Sequence, residues 1–166
     1  MDADLEQLSV RVGTALKAAG WLLATAESCT GGWVSQVVTH TAGSSAWFDR
    51  GFVTYTNDAK RLQLGVAKDT LVHQGAVSEE VARAMAEGAI DHSRADISLA
   101  ITGIAGPTGG SPDKPVGTVC FAWCQKGQAA RSATCLFQGD REAVRRQSVV
   151  FALEQLLAEI GARTVP

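Results

Sequence analysis

Trp21-Leu-Leu-Ala-Thr-Ala-Glu-Ser-Cys-Thr-Gly-Gly32 is the stretch whose reading decides the fold. Its apolar opening is short, so Trp21–Ala26 reads as a buried strand that ends in Glu27-Ser28. From Thr30 to Thr41 the apolar residues Trp33, Val34, Val37 and Val38 recur at helical spacing. A strand that passes through paired glycines into a helix is the opening unit of an α/β sheet.

The flanking sequence supports that unit. Asp4–Ala19 is read as a helix with Leu5, Leu8, Val12, Leu16 and Ala19 on one stripe and Gly20 as its stop. Phe48–Thr56 alternates as a strand, and Asn57 is read as the cap of a helix running to about Gly65. A short helix is expected over Asp69–Gln74. Another opens at Ser78-Glu79-Glu80, carries Val81, Met85, Ala86 and Ile90 inward, and ends near Arg94. Asp96–Thr102 reads as a strand with Ile97, Leu99 and Ile101 on one face, and a Gly/Pro-rich loop follows to Pro115. Val116–Cys124 and Ala130–Phe137 form a hairpin about Lys126-Gly127, and Asp140 caps a long last helix through Ile160. Helices and strands alternate early and a hairpin comes late. The expected fold is therefore a single-domain (1–166) α/β protein, a three-layer α/β/α sandwich with a mixed sheet.

Composition narrows the function. The chain has 166 residues, 46% of them hydrophobic and 19% charged, so it buries a core without needing a disulfide or a metal. Lys and Arg number 15 against 17 Asp and Glu, which argues against a nucleic-acid partner. No apolar run reaches the roughly 20 residues that cross a bilayer. Met1–Ser9 is acidic and polar rather than signal-like, so a cytoplasmic protein with no membrane partner is expected. Cys29, Cys120, Cys124 and Cys135 form no CxxC pair and are read as free thiols, leaving no basis for a metal site.

The chemistry concentrates where strands end. A hydroxyl in Ser28-Cys-Thr30 would lie at a helix N-terminus, where free N–H groups favour negative charge. That suits a nucleophilic Ser28, whose attack creates an oxyanion. Equally, Ser28 or Thr30 could merely cap the helix. A serine needs a base. His40, His73 and His92 lie near helix ends in polar surroundings and are poor choices. Lys60, in the first turn of its helix, is disfavoured as an ammonium ion by the dipole, and burial would lower its pKa further. The alternative is an ordinary surface lysine. Tyr55 could hold or relay a proton, or only pack. Thr102–Gly110 is neither a P-loop nor a dinucleotide fingerprint, but it could present backbone donors to a polar ligand. Arg141 and Arg145 share a helix face near its start, where they answer either an anion or a neighbouring acid.

Six segments in this order resemble the CinA C-terminal-domain family. They are Ala26-Glu-Ser-Cys-Thr-Gly-Gly32, Gly51-Phe-Val-Thr-Tyr-Thr-Asn57 with Lys60, Gly75-Ala-Val-Ser78, Thr102-Gly-Ile-Ala-Gly-Pro107, Lys114-Pro-Val-Gly-Thr118 and Gly139-Asp-Arg141. Within the family the likeness is to stand-alone bacterial nicotinamide-nucleotide amidases. The resemblance implies hydrolysis of the carboxamide of nicotinamide mononucleotide to nicotinate mononucleotide and ammonia, in pyridine-nucleotide salvage. It implies a Ser-Lys mechanism without metal or other cofactor, a small nucleotide as partner, and a homo-oligomer, taken as a dimer. The family's serine, lysine and tyrosine map onto Ser28, Lys60 and Tyr55. N–H groups near Thr30, Gly31 and Gly32 are expected at the oxyanion. Thr102, Gly103 and Gly106 of the loop, with Arg141 or Arg145, are expected at the ribose phosphate. Two rivals are a cysteine amidase using Cys29 and a non-catalytic nucleotide sensor.

Overall fold

The computed structural model describes residues 1–163. In chain order it contains α1 (Ala3–Ala19), β1 (Leu23–Glu27), α2 (Trp33–His40), β2 (Phe48–Val53), α3 (Asn57–Leu64), α4 (Lys68–Gln74), α5 (Glu79–Asp91), β3 (Ile97–Gly103), β4 (Thr118–Gln125), β5 (Arg131–Leu136) and α6 (Arg141–Arg163). The sheet order is β2-β1-β3-β4-β5. β1 runs parallel to β2 and to β3, whereas β4 is antiparallel to both β3 and β5. The expected mixed sheet is therefore present.

Strand alternation sorts side chains onto two faces of different size. Leu23, Ile97, Leu99, Ile101, Phe121 and Trp123 pack on one face with residues of α1, α2 and α6. Ala24, Ala26, Ala100, Cys120, Ala122 and Cys124 pack on the other with residues of α3, α4 and α5. The three-layer sandwich follows. Small side chains on the second face bring α5 close to the sheet. Ser98, buried among them, donates to the Ala86 carbonyl of α5 at 2.6 Å.

Two helix starts differ from expectation. Thr56, not Asn57, caps α3, because its hydroxyl accepts from Ala59 N at 3.1 Å while Asn57 is already helical. The helix after β1 begins at Trp33 rather than Thr30, because Gly31 (φ 60°) and Gly32 (φ 98°) hold left-handed conformations that no helix accommodates. Ser28 and Thr30 therefore stand too far ahead of α2 to cap it.

β1 lies between β2, reached through α2 on one face, and β3, reached through α3–α5 on the other. Such a switch point opens a crevice at the carboxyl ends of the strands. Ser28, Thr54 and the loop after Gly103 all occupy that edge.

Candidate active site at the carboxyl ends of β1, β2 and β3

The strand ladder continues one step past β1. Thr54 N donates to the Glu27 carbonyl at 2.8 Å, and Ser28 N donates to the Ile101 carbonyl at 2.9 Å. Ser28 and Thr54 are thus held side by side. From Thr56 the chain turns into α3, which returns Lys60 over that edge. Lys60 Nζ donates to Ser28 Oγ at 2.9 Å and to the Thr54 carbonyl at 2.8 Å. Lys60 is 1% exposed and Ser28 is 8% exposed.

Burial pushes the Lys60 ammonium down to about 8. No carboxylate is among its hydrogen-bond partners, so its desolvation outweighs the smaller opposing pull of Cys29. The Thr54 carbonyl can only accept and must take an N–H. Ser28 can donate or accept, so the lone pair of a neutral amine would turn to Ser28.

Glu27 is fully buried yet carries no cation partner. Its Oε1 accepts from Thr30 Oγ1 (2.7 Å) and Val34 N (2.9 Å). Its Oε2 accepts from Ser35 N (3.0 Å) and Ser35 Oγ (2.8 Å). A carboxylate from the strand thus serves the first N–H groups of α2, a place Gly32 has no side chain to fill. Sequence reasoning gave Glu27 no role. The available signal was an acid closing an otherwise apolar strand directly before a helix.

Cys29 lies beside this carboxylate. Burial first, and the Glu27 charge after it, push its thiol up to about 12. The thiolate that nucleophilic sulfur requires is therefore disfavoured here.

The expected residues, apart from Gly106, divide between two adjoining cavities; Gly106 lines neither. Ser28, Lys60, Tyr55, Thr102, Gly103 and Arg141 line a cleft of about 250 Å³. Thr30, Gly31, Gly32, Arg141 and Arg145 line a second of about 490 Å³. Arg141 borders both. Its guanidinium donates to the Gly106 carbonyl at 2.7 Å and to the Tyr55 hydroxyl at 2.8 Å. Tyr55 is 57% exposed and makes no hydrogen bond to Ser28 or Lys60. Arg145 donates to the Cys29 carbonyl (3.0 Å) and the Thr30 carbonyl (3.1 Å). Neither arginine pairs with an acid, so the acid-pairing alternative gives way to backbone carbonyls. Thr102 Oγ1 donates to the Ala76 carbonyl at 2.8 Å and supports the Ala76-Val77 wall of the smaller cleft. The sequence gave that wall no place in the site. Gly103 packs where a Cβ would lie 2.8 Å from Val119 Cγ2. The described residues contain no group of three or more His, Cys, Asp or Glu arranged to hold a metal. No described helix is long and apolar enough to cross a membrane.

A family model for the CinA C-terminal domain matches residues 5–160. The chain belongs to that family. Over 156 residues it is 56% identical to a protein of Escherichia coli (strain K12) named nicotinamide-nucleotide amidohydrolase PncC, covering 93% of this chain and 94% of that one. It is 50% identical over 150 residues to a Pseudomonas putida protein of the same name, covering 90% of this chain and 93% of that one. Among solved CinA-family structures, a competence/damage inducible protein from Agrobacterium tumefaciens superposes with a TM-score of 0.92 at 46% identity, covering 95% of this chain and 96% of that one.

Proposed function

We propose that this protein hydrolyses the carboxamide of nicotinamide mononucleotide, giving nicotinate mononucleotide and ammonia, with Ser28 as nucleophile and Lys60 as its base. The observation that carries the reading is the buried 2.9 Å contact between Lys60 Nζ and Ser28 Oγ. The full-length relatives named for that reaction supply the substrate.

In the proposed sequence, neutral Lys60 takes the Ser28 proton as Oγ attacks the amide carbon. Backbone N–H groups of the turn after Ser28 meet the oxyanion. Gly31 is not among them, because its N–H already donates to the Ser28 carbonyl. The protonated lysine then gives its proton to the departing nitrogen, and ammonia leaves. Water, activated by the same amine, hydrolyses the acyl-serine. The raised Cys29 thiol argues against a cysteine nucleophile. Arg141, exposed to both cavities, is the proposed partner of the nucleotide phosphate.

Ammonia release from nicotinamide mononucleotide by the purified protein tests the reading. The Ser28→Ala change is expected to lower turnover about 10⁴-fold or more. Cys29→Ala should retain activity. Tight nucleotide binding with no ammonia would establish the sensor alternative, and full activity of Ser28→Ala would remove the serine mechanism.

A further inference from the structure

Arg145 follows Arg141 by one helical turn but makes different bonds. Its Nε donates to the Cys29 carbonyl and its terminal nitrogen to the Thr30 carbonyl. The guanidinium also lies 5.4 Å from the centroid of the Trp33 ring. A planar fork held by two carbonyls and an aromatic face has little freedom to turn toward a ligand.

The two peptides it holds carry the N–H groups of Thr30 and Gly31, and the Gly31 N–H in turn holds the Ser28 carbonyl at 3.0 Å. Gly106-Pro107 is the one cis bond among the described residues, so the peptides after Ser28 and Cys29 are trans. A trans peptide points its carbonyl and its N–H in opposite directions. The Ser28 carbonyl, in the peptide that carries Cys29 N–H, accepts from Gly31 N at 3.0 Å. The Cys29 carbonyl, in the peptide that carries Thr30 N–H, accepts from Arg145 Nε at 3.0 Å. Each peptide is thus gripped by its oxygen. Among the described residues neither N–H meets an acceptor on another residue, and Cys29 and Thr30 each line one of the two cavities. Backbone donors that no neighbouring residue takes are left for a ligand. Donors reserved for a charge that forms only during reaction account for these two.

We infer that Arg145 is a positioning residue for catalysis: its bond to the Cys29 carbonyl sets the Thr30 N–H, and its bond to the Thr30 carbonyl sets the Gly31 N–H on the Ser28 carbonyl and so the Cys29 N–H, for the oxyanion. A cation on a carbonyl oxygen also polarises the peptide and strengthens the N–H at its other end. Arg145 therefore acts through the backbone and does not touch the nucleotide phosphate. The inference rests on the Ser28 amidase reading.

The experiment compares Arg145→Ala and Arg145→Lys with wild type on nicotinamide mononucleotide and on the corresponding nucleoside, which lacks the phosphate. The alanine change is expected to lower kcat roughly 10²-fold on both substrates, with KM within about threefold. Millimolar ethylguanidinium should restore part of the kcat of Arg145→Ala. Lysine, a single point donor, should recover little. A rise in KM confined to the phosphorylated substrate would make Arg145 a phosphate ligand and overturn the inference, as would an unchanged kcat. If Arg145→Ala does not fold, Arg145→Lys carries the same comparison.

A second readout needs no amide substrate. A phosphonofluoridate captures Ser28 as Oγ bonds to phosphorus, fluoride leaves and Lys60 takes the proton, with the phosphoryl oxygen placed where the oxyanion would sit. Labelling should slow in both Arg145 variants. If wild type labels at Ser28 but releases no ammonia, the substrate reading fails while the labelling rates still decide the role of Arg145. Equal labelling rates would end it.

Discussion

The two ends of the small cleft are built from similar residues in opposite ways. At the inner end a lysine meets a hydroxyl and a carbonyl with both side chains buried. At the outer end an arginine also meets a hydroxyl and a carbonyl, those of Tyr55 and Gly106, but in the open. The inner cation loses its hydration and is driven toward its neutral form. The outer one keeps solvent, and guanidinium stays charged in any case. One pattern of partners thus favours a neutral amine, the proposed base, in one place and a fixed positive charge in the other. Burial makes the difference.

The largest effect that tests this contrast is expected at Lys60. Lys60→Arg should lower turnover about 10³-fold or more, since guanidinium cannot give up a proton at working pH. In wild type, turnover should climb with pH through about 8 and level off above it, because in the proposed mechanism the neutral amine is the active form. The same shift bears on stability. In the unfolded chain lysine stays protonated up to about 10.4, so folding at lower pH confines a charge that water would otherwise solvate. That cost is full below about 8 and fades as pH rises toward the unfolded value. Lys60→Met should be inactive, and its stability relative to wild type should fall by about 1 kcal/mol between pH 7 and 9. Urea midpoints across that range measure it. A pH-independent difference would mean that Lys60 is neutral, or solvated, throughout.

Glu27 is the next test and concerns the frame behind the inner end. Glutamine at this position keeps the shape but turns an amide toward one pair of donors, at either Thr30 and Val34 or Ser35. Donor would face donor inside the core, at a cost of about 3 kcal/mol. Glu27→Gln should therefore lower the urea midpoint markedly. Wild-type stability in that variant would show that the carboxylate is dispensable to the turn.

The fold was legible because periodicity survives in short segments. Ile97, Leu99 and Ile101 alternate, and they do share the bulky face of the sheet. Lys60 was legible for a different reason, since helix position and charge conflict locally and the conflict can be read from sequence. The Thr54 carbonyl was not legible, because backbone groups carry no sequence signal. Asn57 read as the cap on residue type, but Thr56 is the residue that stays extended (φ −104°, ψ 162°) and accepts from Ala59 N. Arg145 read as the partner of a bound anion or of a neighbouring acid because side-chain type announces charge. Whether a guanidinium meets an anion, an acid or a carbonyl is decided by contacts spanning 116 residues, beyond any local pattern.

The smallest expected effect concerns the outer end and separates two roles for Tyr55. The residue was read as a proton carrier or as simple packing, yet its hydroxyl accepts from Arg141 and makes no bond to Ser28 or Lys60. A relay would need its oxygen on Ser28 or Lys60. A brace for Arg141 needs only the bond observed. Tyr55→Phe removes that oxygen and leaves the ring. On an exposed side chain the stability change should be within about 0.5 kcal/mol. Arg141 would keep the Gly106 carbonyl but lose one of its two anchors, so its charge would wander more widely over the cavity mouth. We therefore expect KM for nicotinamide mononucleotide to rise several-fold with kcat held within about fivefold, and no change for the phosphate-free nucleoside. A fall in kcat of about 100-fold on both substrates would instead show that the tyrosine moves toward the dyad during turnover, and that the outer end takes part in the proton chemistry assigned to the inner one.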